Sequence, residues 1–177
     1  RDPEMSRGLG DVYKRQLVNN AMMTAISNYV AQNFGAGKKD RIRLGVRASL
    51  IQTEAFNILM CIGILLLRHP IVELFLSNPT AEIYHYSDVF LTIEAPFYFL
   101  LGLLAVYRTS IQSMQNGRAP FAACMIELVM RLAATVWLSR FLGYTAVCIA
   151  SPLAWFGAVA LLIPVYYRMM MKPVKTV

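Results

Sequence analysis

The sequence predicts an all-α protein of the membrane class, a polytopic bundle of about five transmembrane helices. Of its 177 residues, 57% are hydrophobic, whereas a soluble domain carries about 45–50% apolar residues. Charged residues make up 15% of the chain, against about 25% in soluble domains. The apolar residues also form runs close to the roughly 20 residues that cross a bilayer as a helix. This composition excludes an ordinary soluble enzyme, and it excludes a disordered chain, which needs low hydrophobicity and high net charge.

The predicted helices are five apolar segments, at residues 17–34, 48–67, 88–113, 120–139 and 145–167. The second and fourth have the length of a single span, and the third and fifth are long enough to tilt or to contain a break. The first is the weakest because it carries five Asn and Gln side chains, although its apolar residues recur at helical spacing. The last segment includes the run 153–167, which is apolar on all sides, as is typical of a helix in a membrane.

The first 16 residues differ from the rest of the chain. They are polar, and they lack the apolar core of about 7–15 residues that a signal peptide needs. The sequence GDVYKRQ at positions 10–16 is similar to the translated adapter remnants found at the ends of some metagenomic reading frames. We therefore expect two parts, a non-native tail at 1–16 and a partial transmembrane lobe at 17–177.

The basic residues alternate between the two sides of the predicted spans. One side carries ten of them: Lys38, Lys39, Arg41, Arg43, Arg47, Arg108, Arg118, Arg168, Lys172 and Lys175. The other side carries Arg68 and Arg140. Because Lys and Arg are retained on the cytoplasmic side, the pattern predicts a multi-pass protein of the cell membrane with a cytoplasmic C-terminus and further chain upstream. It also explains the net charge of +7 without a nucleic-acid partner.

Three acidic residues fall inside the predicted spans: Glu54, Glu94 and Glu127. Ionisable groups at membrane depth are costly unless they pair or face water, so each is a candidate functional residue. Glu54 lies near the cytoplasmic end of its helix, from which its side chain can extend to the interface. Glu127 has Arg131 four residues later on the same helix face. This pair can either join helices or take part in conformational coupling.

Glu94 is the strongest candidate for binding a substrate or an ion. It has no basic residue within a helical turn, and Pro96 follows it, which frees a backbone carbonyl and kinks the helix. The aromatic residues Phe97, Tyr98 and Phe99 come next, and aromatic faces attract organic cations. These features favour a cation or proton site at Glu94 and Tyr98. The alternative is a carboxylate near the outer headgroups.

The sequence predicts no enzyme, no metal site and no cofactor. Three cysteines, Cys61, Cys124 and Cys148, lie in apolar runs without ligand spacing, and His69 and His85 also lack it. A P-loop and the motifs GxGxxG, GxSxG and HExxH do not occur in the sequence. Transport by this chain would therefore depend on an ion gradient or on another chain.

Four stretches follow one another along the chain: AISNYVAQNFGAGKKDRIRLGVRAS, PIVELFLSNPTAEI, YRTSIQSMQNGRAPFAACMIELVMR and GYTAVCIASPLAWFGA. The first contains a loop motif: Gln32, Asn33, Gly35, Ala36 and Gly37. In this order the stretches resemble the later part of one half of a multidrug and toxic compound extrusion (MATE) transporter. The resemblance implies the last five helices of a six-helix C-terminal lobe, helices 8 to 12 of the family. It places Glu94 on the tenth helix, where some members carry an acid that lines the cavity.

The resemblance also implies a function for the parent protein. Members of the family exchange organic cations, drugs or other xenobiotics for Na+ or H+ by rocking two lobes around a central cavity. We therefore expect a fragment of a cation-coupled antiporter, with membrane lipid, a cationic or amphipathic substrate and a missing N-terminal lobe as partners. One alternative is a lipid-linked oligosaccharide flippase of the same superfamily, which should have a more basic cavity. The other is a membrane assembly subunit that does not transport.

Overall fold

The helices of the structure follow the apolar segments of the sequence. The computed structural model describes residues 20–75 and 80–171. Within these residues the chain forms helices joined by short turns, which confirms the predicted all-α bundle. The expected tail at 1–16 lies outside the described residues, and so do Lys172 and Lys175.

The order of the elements is simple. Helix α1 covers residues 20–35. Two helices of 28 residues, α2 (Lys39–Leu66) and α8 (Tyr144–Met171), stand near the two ends of the described chain. Between them lie α3 (Arg68–Phe75), α4 (Ala81–Glu94), a 3-10 turn (Ala95–Phe97), α5 (Tyr98–Ser113), α6 (Arg118–Ala133), a π-helical turn (Ala134–Leu138) and α7 (Ser139–Leu142).

Four helical stretches among the described residues are long and apolar enough to cross a membrane: Lys39–Leu66, Ala81–Ser113, Arg118–Leu142 and Tyr144–Met171. They overlap the second to fifth predicted segments. On α2, Ile58, Leu59 and Leu66 are 58%, 67% and 76% exposed. A soluble monomer rarely exposes a large contiguous apolar surface, so these side chains indicate contact with lipid. The chain is therefore a multi-pass membrane protein.

The third span begins earlier than predicted. Helix α4 starts at Ala81 and not at Asp88. Thr80 before it is extended, and Glu82 in its first turn places a negative charge at the positive end of the helix dipole. The polar start of α4 packs on α3, where His69 Nε2 lies 3.2 Å from the Asp88 carboxylate.

Helix α8 forms the centre of the bundle. Its buried alanines recur every fourth residue and form one stripe: Ala146, Ala150, Ala154 and Ala158. Helix α6 makes the most extensive contact with α8, and Gly157 lies against Met130 and Ile126 there. Small residues let two membrane helices approach closely. Buried side chains of α1, α2, α5 and α8 complete the core.

Three connections meet at one end of the bundle. Lys39, at the start of α2, donates through Nζ to the carbonyl oxygens of Met169 and Met170 at 3.0 and 3.3 Å. Asn116, in the connection after α5, lies 3.4 Å from Met169, measured from Nδ2 to Sδ. The turn after α1, the turn after α5 and the end of α8 therefore share one side of the bundle. The alternation of basic residues predicts the same arrangement.

Candidate functional site

Glu94 ends α4, where the chain enters the 3-10 turn. The Ser151 hydroxyl of α8 faces the Glu94 carboxylate as a hydrogen-bond donor, and the Arg131 guanidinium of α6 acts on it electrostatically. Tyr98 of α5 and Tyr144 at the start of α8 lie within electrostatic range of the same carboxylate. We call these five residues the Glu94 cluster. It draws side chains from four helices to one carboxylate.

The predicted helix break at Pro96 is present and positions Tyr98. Proline has no amide hydrogen to continue the α-helical ladder, and the turn places Tyr98 at the start of α5. The Tyr98 ring lies 6.3 Å from the Trp155 ring, and its carbonyl accepts a hydrogen bond from Asn57 Nδ2 at 3.1 Å. The expected neighbours Phe97 and Phe99 are instead 39% and 44% exposed. Tyr98 alone of these three aromatic residues interacts with Glu94.

The charges of the cluster come from two different spans. An ionised carboxylate at membrane depth needs an opposite charge or water, and the basic side chain that acts on Glu94 is Arg131 on α6, which is near it but forms no salt bridge with it. Arg131 itself is exposed, so it is free to move away from Glu94. The site can therefore hold one positive charge beside Glu94, either the guanidinium or a bound cation. Sequence spacing does not reveal this neighbour, because Arg131 and Glu94 lie on separate helices.

Glu127 forms its ion pair with Arg108 of α5. The sequence predicts Arg131 as the partner, one turn later on α6, and the structure corrects this pairing. The Glu127 and Arg108 side chains are 17% and 29% exposed, so the pair lies between helices and not on the bundle surface. Glu127 and Arg131 therefore belong to different groups. Their role in conformational coupling stays a prediction.

The loop motif forms the end of α1 and the turn after it: Gln32, Asn33, Gly35, Ala36 and Gly37. Gly37 has φ +69°, and its amide donates to the Phe34 carbonyl at 3.0 Å. The Lys38 amide donates to the Asn33 carbonyl at 2.9 Å. These two bonds around a left-handed residue make a Schellman motif, a common helix end. The predicted helix end at 35–37 is confirmed, and the motif has a structural explanation.

Replacing Gly37 with Ala is expected to lower the free energy of unfolding by about 1 kcal/mol, because a side chain is strained in the left-handed region. Gly35→Ala is the matched control, since a Cβ there meets no atom within 4 Å and no positive φ is involved. Unfolding of both variants can be followed in detergent micelles. Equal stability of the two variants would contradict the turn described here.

Glu54 does not extend to the interface, and that expectation is wrong. Its carboxylate lies between α2 and α5, beside Gly102, and both of its oxygens are buried. The space that it occupies exists because Gly102 has no side chain. Position along α2 alone cannot reveal that space.

Polar side chains of α1 line a cleft that sequence reasoning did not identify. The cleft lies between α1 and α5, has a volume of about 580 Å³, and includes Asn20, Asn28 and Gln112. Two of the five amide side chains that make the first segment a weak predicted span, Asn20 and Asn28, therefore border this cleft. The candidates Glu94, Tyr98, Glu127 and Arg131 do not line this cleft.

The described residues contain no group of side chains with the composition of a metal site. Over 20–75 and 80–171, no three His, Cys, Asp or Glu side chains come together as a metal site. Cys61, Cys124 and Cys148 are free thiols.

Comparisons with known proteins agree with the helical architecture. The sequence model of the MatE family matches residues 17–137. The chain is similar to a protein named FAD transporter from Shewanella oneidensis, with 21% identity over 138 residues, which are 77% of this chain and 30% of that protein. No solved structure matches the chain. The described helices are long and apolar enough to span a membrane, which agrees with this match. Because the family model covers more than half of the sequence, the chain belongs to the MatE family.

Proposed function

We propose that this chain forms part of a transporter of the cell membrane that exchanges organic cations, drugs or other amphipathic xenobiotics for Na+ or H+. Its C-terminus lies in the cytoplasm with the basic connections. The transporter moves its substrate without changing it chemically. The Glu94 cluster carries the proposal, because it sets a carboxylate, a guanidinium and three hydroxyl groups around a helix break within a membrane span. Membership of the MatE family supports transport.

Competition for one carboxylate gives the exchange a physical basis. An ionised Glu94 carries one negative charge, and the Arg131 guanidinium acts on it electrostatically without forming a salt bridge. A proton, Na+ or an organic cation that binds Glu94 displaces Arg131. The faces of Tyr98 and Tyr144 attract an organic cation by cation–π interaction. Since two cations beside one carboxylate repel each other and only one of them is neutralised, binding of the ion favours release of the substrate.

Exchange across a membrane also requires two halves that rock around the site. The chain spans 30% of the length of the FAD transporter that it matches. The proposed partner of this lobe is therefore a second, N-terminal lobe that completes the cavity. Membrane lipid is a further proposed partner, because α2 exposes apolar side chains such as Leu59 and Leu66.

Glu94→Gln in the full-length transporter tests the proposal. We expect gradient-driven efflux of a cationic dye from a drug-sensitive host to fall at least about tenfold with normal amounts of protein in the membrane, because the amide cannot exchange cations. Glu82→Gln is the matched control, since Glu82 is an exposed glutamate at the other end of α4. Unchanged efflux by Glu94→Gln would exclude Glu94 from the binding site.

A second candidate function is the flipping of a lipid-linked oligosaccharide. One observation favours it: the Arg131 guanidinium is exposed within a span, where it can bind an anionic phosphate. Arg131→Gln separates the candidates, since it should abolish the flipping of an anionic lipid but leave dye efflux at a measurable level. Absence of both activities in the unmodified full-length protein would favour an assembly subunit without transport.

A further inference from the structure

Glu54 of α2 lies inside the bundle at a place that the proposed function does not use. Its two carboxylate oxygens are buried and form no hydrogen bond of ordinary geometry with the described residues. Thr53 is 8% exposed, and its Oγ1 is likewise buried without a hydrogen-bond partner among them. Two adjacent side chains thus present unsatisfied oxygen atoms within a membrane-spanning helix.

Helix α5 holds Glu54 closely and gives it no hydrogen-bond donor. A Cβ at Gly102 would collide with the Asn57 amide and with Oε1 of Glu54, so these side chains pack against bare backbone. The Asn57 amide borders the Glu54 carboxylate, and its Nδ2 donates one hydrogen to the Tyr98 carbonyl at 3.1 Å. A single Nδ2 hydrogen therefore remains for the two Glu54 oxygens.

No opposite charge compensates Glu54 either. On α2 the preceding basic residue is Arg47, about 10 Å away along the helix axis, and it forms no hydrogen bond with the buried carboxylate oxygens. The titratable side chains of the helices packed on α2 have other partners or are exposed. The exposed one is Glu82, and the partners are as follows: Tyr29 with the Arg41 carbonyl, Arg68 and His69 with Asp88, Tyr84 with Glu73, His85 with Tyr86, Tyr98 with Glu94, Tyr107 with Tyr166, and Arg108 with Glu127. Among the described residues, burial acts on Glu54 without a cation to oppose it.

The surroundings of Glu54 favour one of its two protonation states. An ionised carboxylate that has one neutral donor at most and no counter-charge is costly in a membrane interior, and the neutral acid costs much less. A metal ion would need several oxygen ligands and room for them, and Glu54 packs directly against α5. We propose that Glu54 is a proton-binding site, holding a proton in the contact between α2 and α5 and releasing it when that contact opens.

Proton release at Glu54 would also affect Tyr98, which follows the helix break at Pro96. The resulting charge would lie against Gly102 and next to Asn57, and Asn57 bridges α2 to the Tyr98 carbonyl. Separation of α2 from α5 would therefore shift Tyr98, a member of the Glu94 cluster. Glu54 is in this sense a positioning residue for the cluster. Proton binding at Glu54 does not itself depend on the proposed transport.

Dicyclohexylcarbodiimide tests the protonation of Glu54 in the unmodified chain, because it labels carboxylic acids in apolar surroundings. The acid proton moves to a carbodiimide nitrogen, the carboxyl oxygen bonds to the carbodiimide carbon, and rearrangement leaves an N-acylurea that mass spectrometry assigns to a peptide. We expect Glu54 to be labelled at about pH 7 and labelling to fall about tenfold by about pH 9.5, as the proton is released. Exposed Glu82 is the control and should stay unlabelled.

Two results would overturn the proposal. Labelling of Glu54 at about pH 4 but not at about pH 7 would show that it is an ionised carboxylate in the folded protein at neutral pH. Suppression of labelling by millimolar Na+ at constant pH would show a metal-cation site. Neither readout involves transport, so failure of this proposal is distinguishable from failure of the proposed function.

The stability of the protein gives a second, independent readout. A glutamate in the unfolded chain is ionised at neutral pH, so the unfolded state has released the proton that the folded state holds. The stability of the wild-type protein should therefore fall as the pH rises, whereas Glu54→Gln lacks this dependence. We expect the thermal midpoint of Glu54→Gln to exceed that of the wild type by a margin that widens from about pH 6 to about pH 8. A constant margin across this range would overturn the proposal.

Discussion

Replacing Glu127 with Gln is expected to lower the free energy of unfolding by about 3 kcal/mol, because it leaves a charge without its partner in the bundle. Arg108 of α5 pairs with Glu127 of α6, and its side chain is 29% exposed. The Arg108 Nε is buried without a hydrogen-bond partner among the described residues, so the guanidinium already depends on Glu127. Removal of one partner from such a pair costs more than the pair contributes.

Replacing both residues of the pair is the complementary test. Replacing both residues by Met should regain at least about 2 kcal/mol relative to Glu127→Gln, since an apolar pair of similar volume needs no counter-charge. The exposed pair of Asp40 and Arg43, at 3.7 Å, is the control. Asp40→Asn should change stability by less than about 0.5 kcal/mol. If Glu127→Gln is no more harmful than Asp40→Asn in detergent micelles, the ion pair does not join α5 to α6.

The features that sequence analysis predicts correctly depend on residues that are neighbours in the chain. The membrane spans follow from runs of apolar side chains, and the break at Pro96 follows from a missing amide hydrogen. The turn at Gly37 likewise follows from one residue that tolerates positive φ. Each of these is local, so no knowledge of packing is needed to predict it.

The side-chain partners depend on how helices pack, and the sequence does not show this. Glu127 has Arg131 one turn away, but α5 brings Arg108 to it. Glu54 is near the predicted interface, but the bare backbone at Gly102 gives it space inside the bundle. In both cases the deciding residue lies on another helix. Local spacing therefore finds the charged residues of the candidate site but not their partners.

Replacing Gly157 with Leu is expected to lower the free energy of unfolding by about 2 kcal/mol, because it overpacks the contact between α6 and α8. The side chains of Met130 and Ile126 occupy the space that even a Cβ at Gly157 would need. Met130 is flexible and can yield to a single methyl group, so Gly157→Ala should cost less than about 1 kcal/mol. Leu must push the two helices apart, which removes the close approach that small residues allow.

Gly63→Leu is the matched control for this contact, because it makes the same substitution within α2, where a Cβ meets no atom within 4 Å. It should leave the thermal midpoint in detergent unchanged or slightly raised, since Leu is the better helix former. Combining Gly157→Leu with Met130→Ala should recover about half of the lost stability, because the shorter Ala side chain leaves room for the new Leu next to α6. Such recovery would tie the loss to the packing of α6 on α8. If Gly63→Leu destabilises the protein as much as Gly157→Leu does, the helix contact is not the cause.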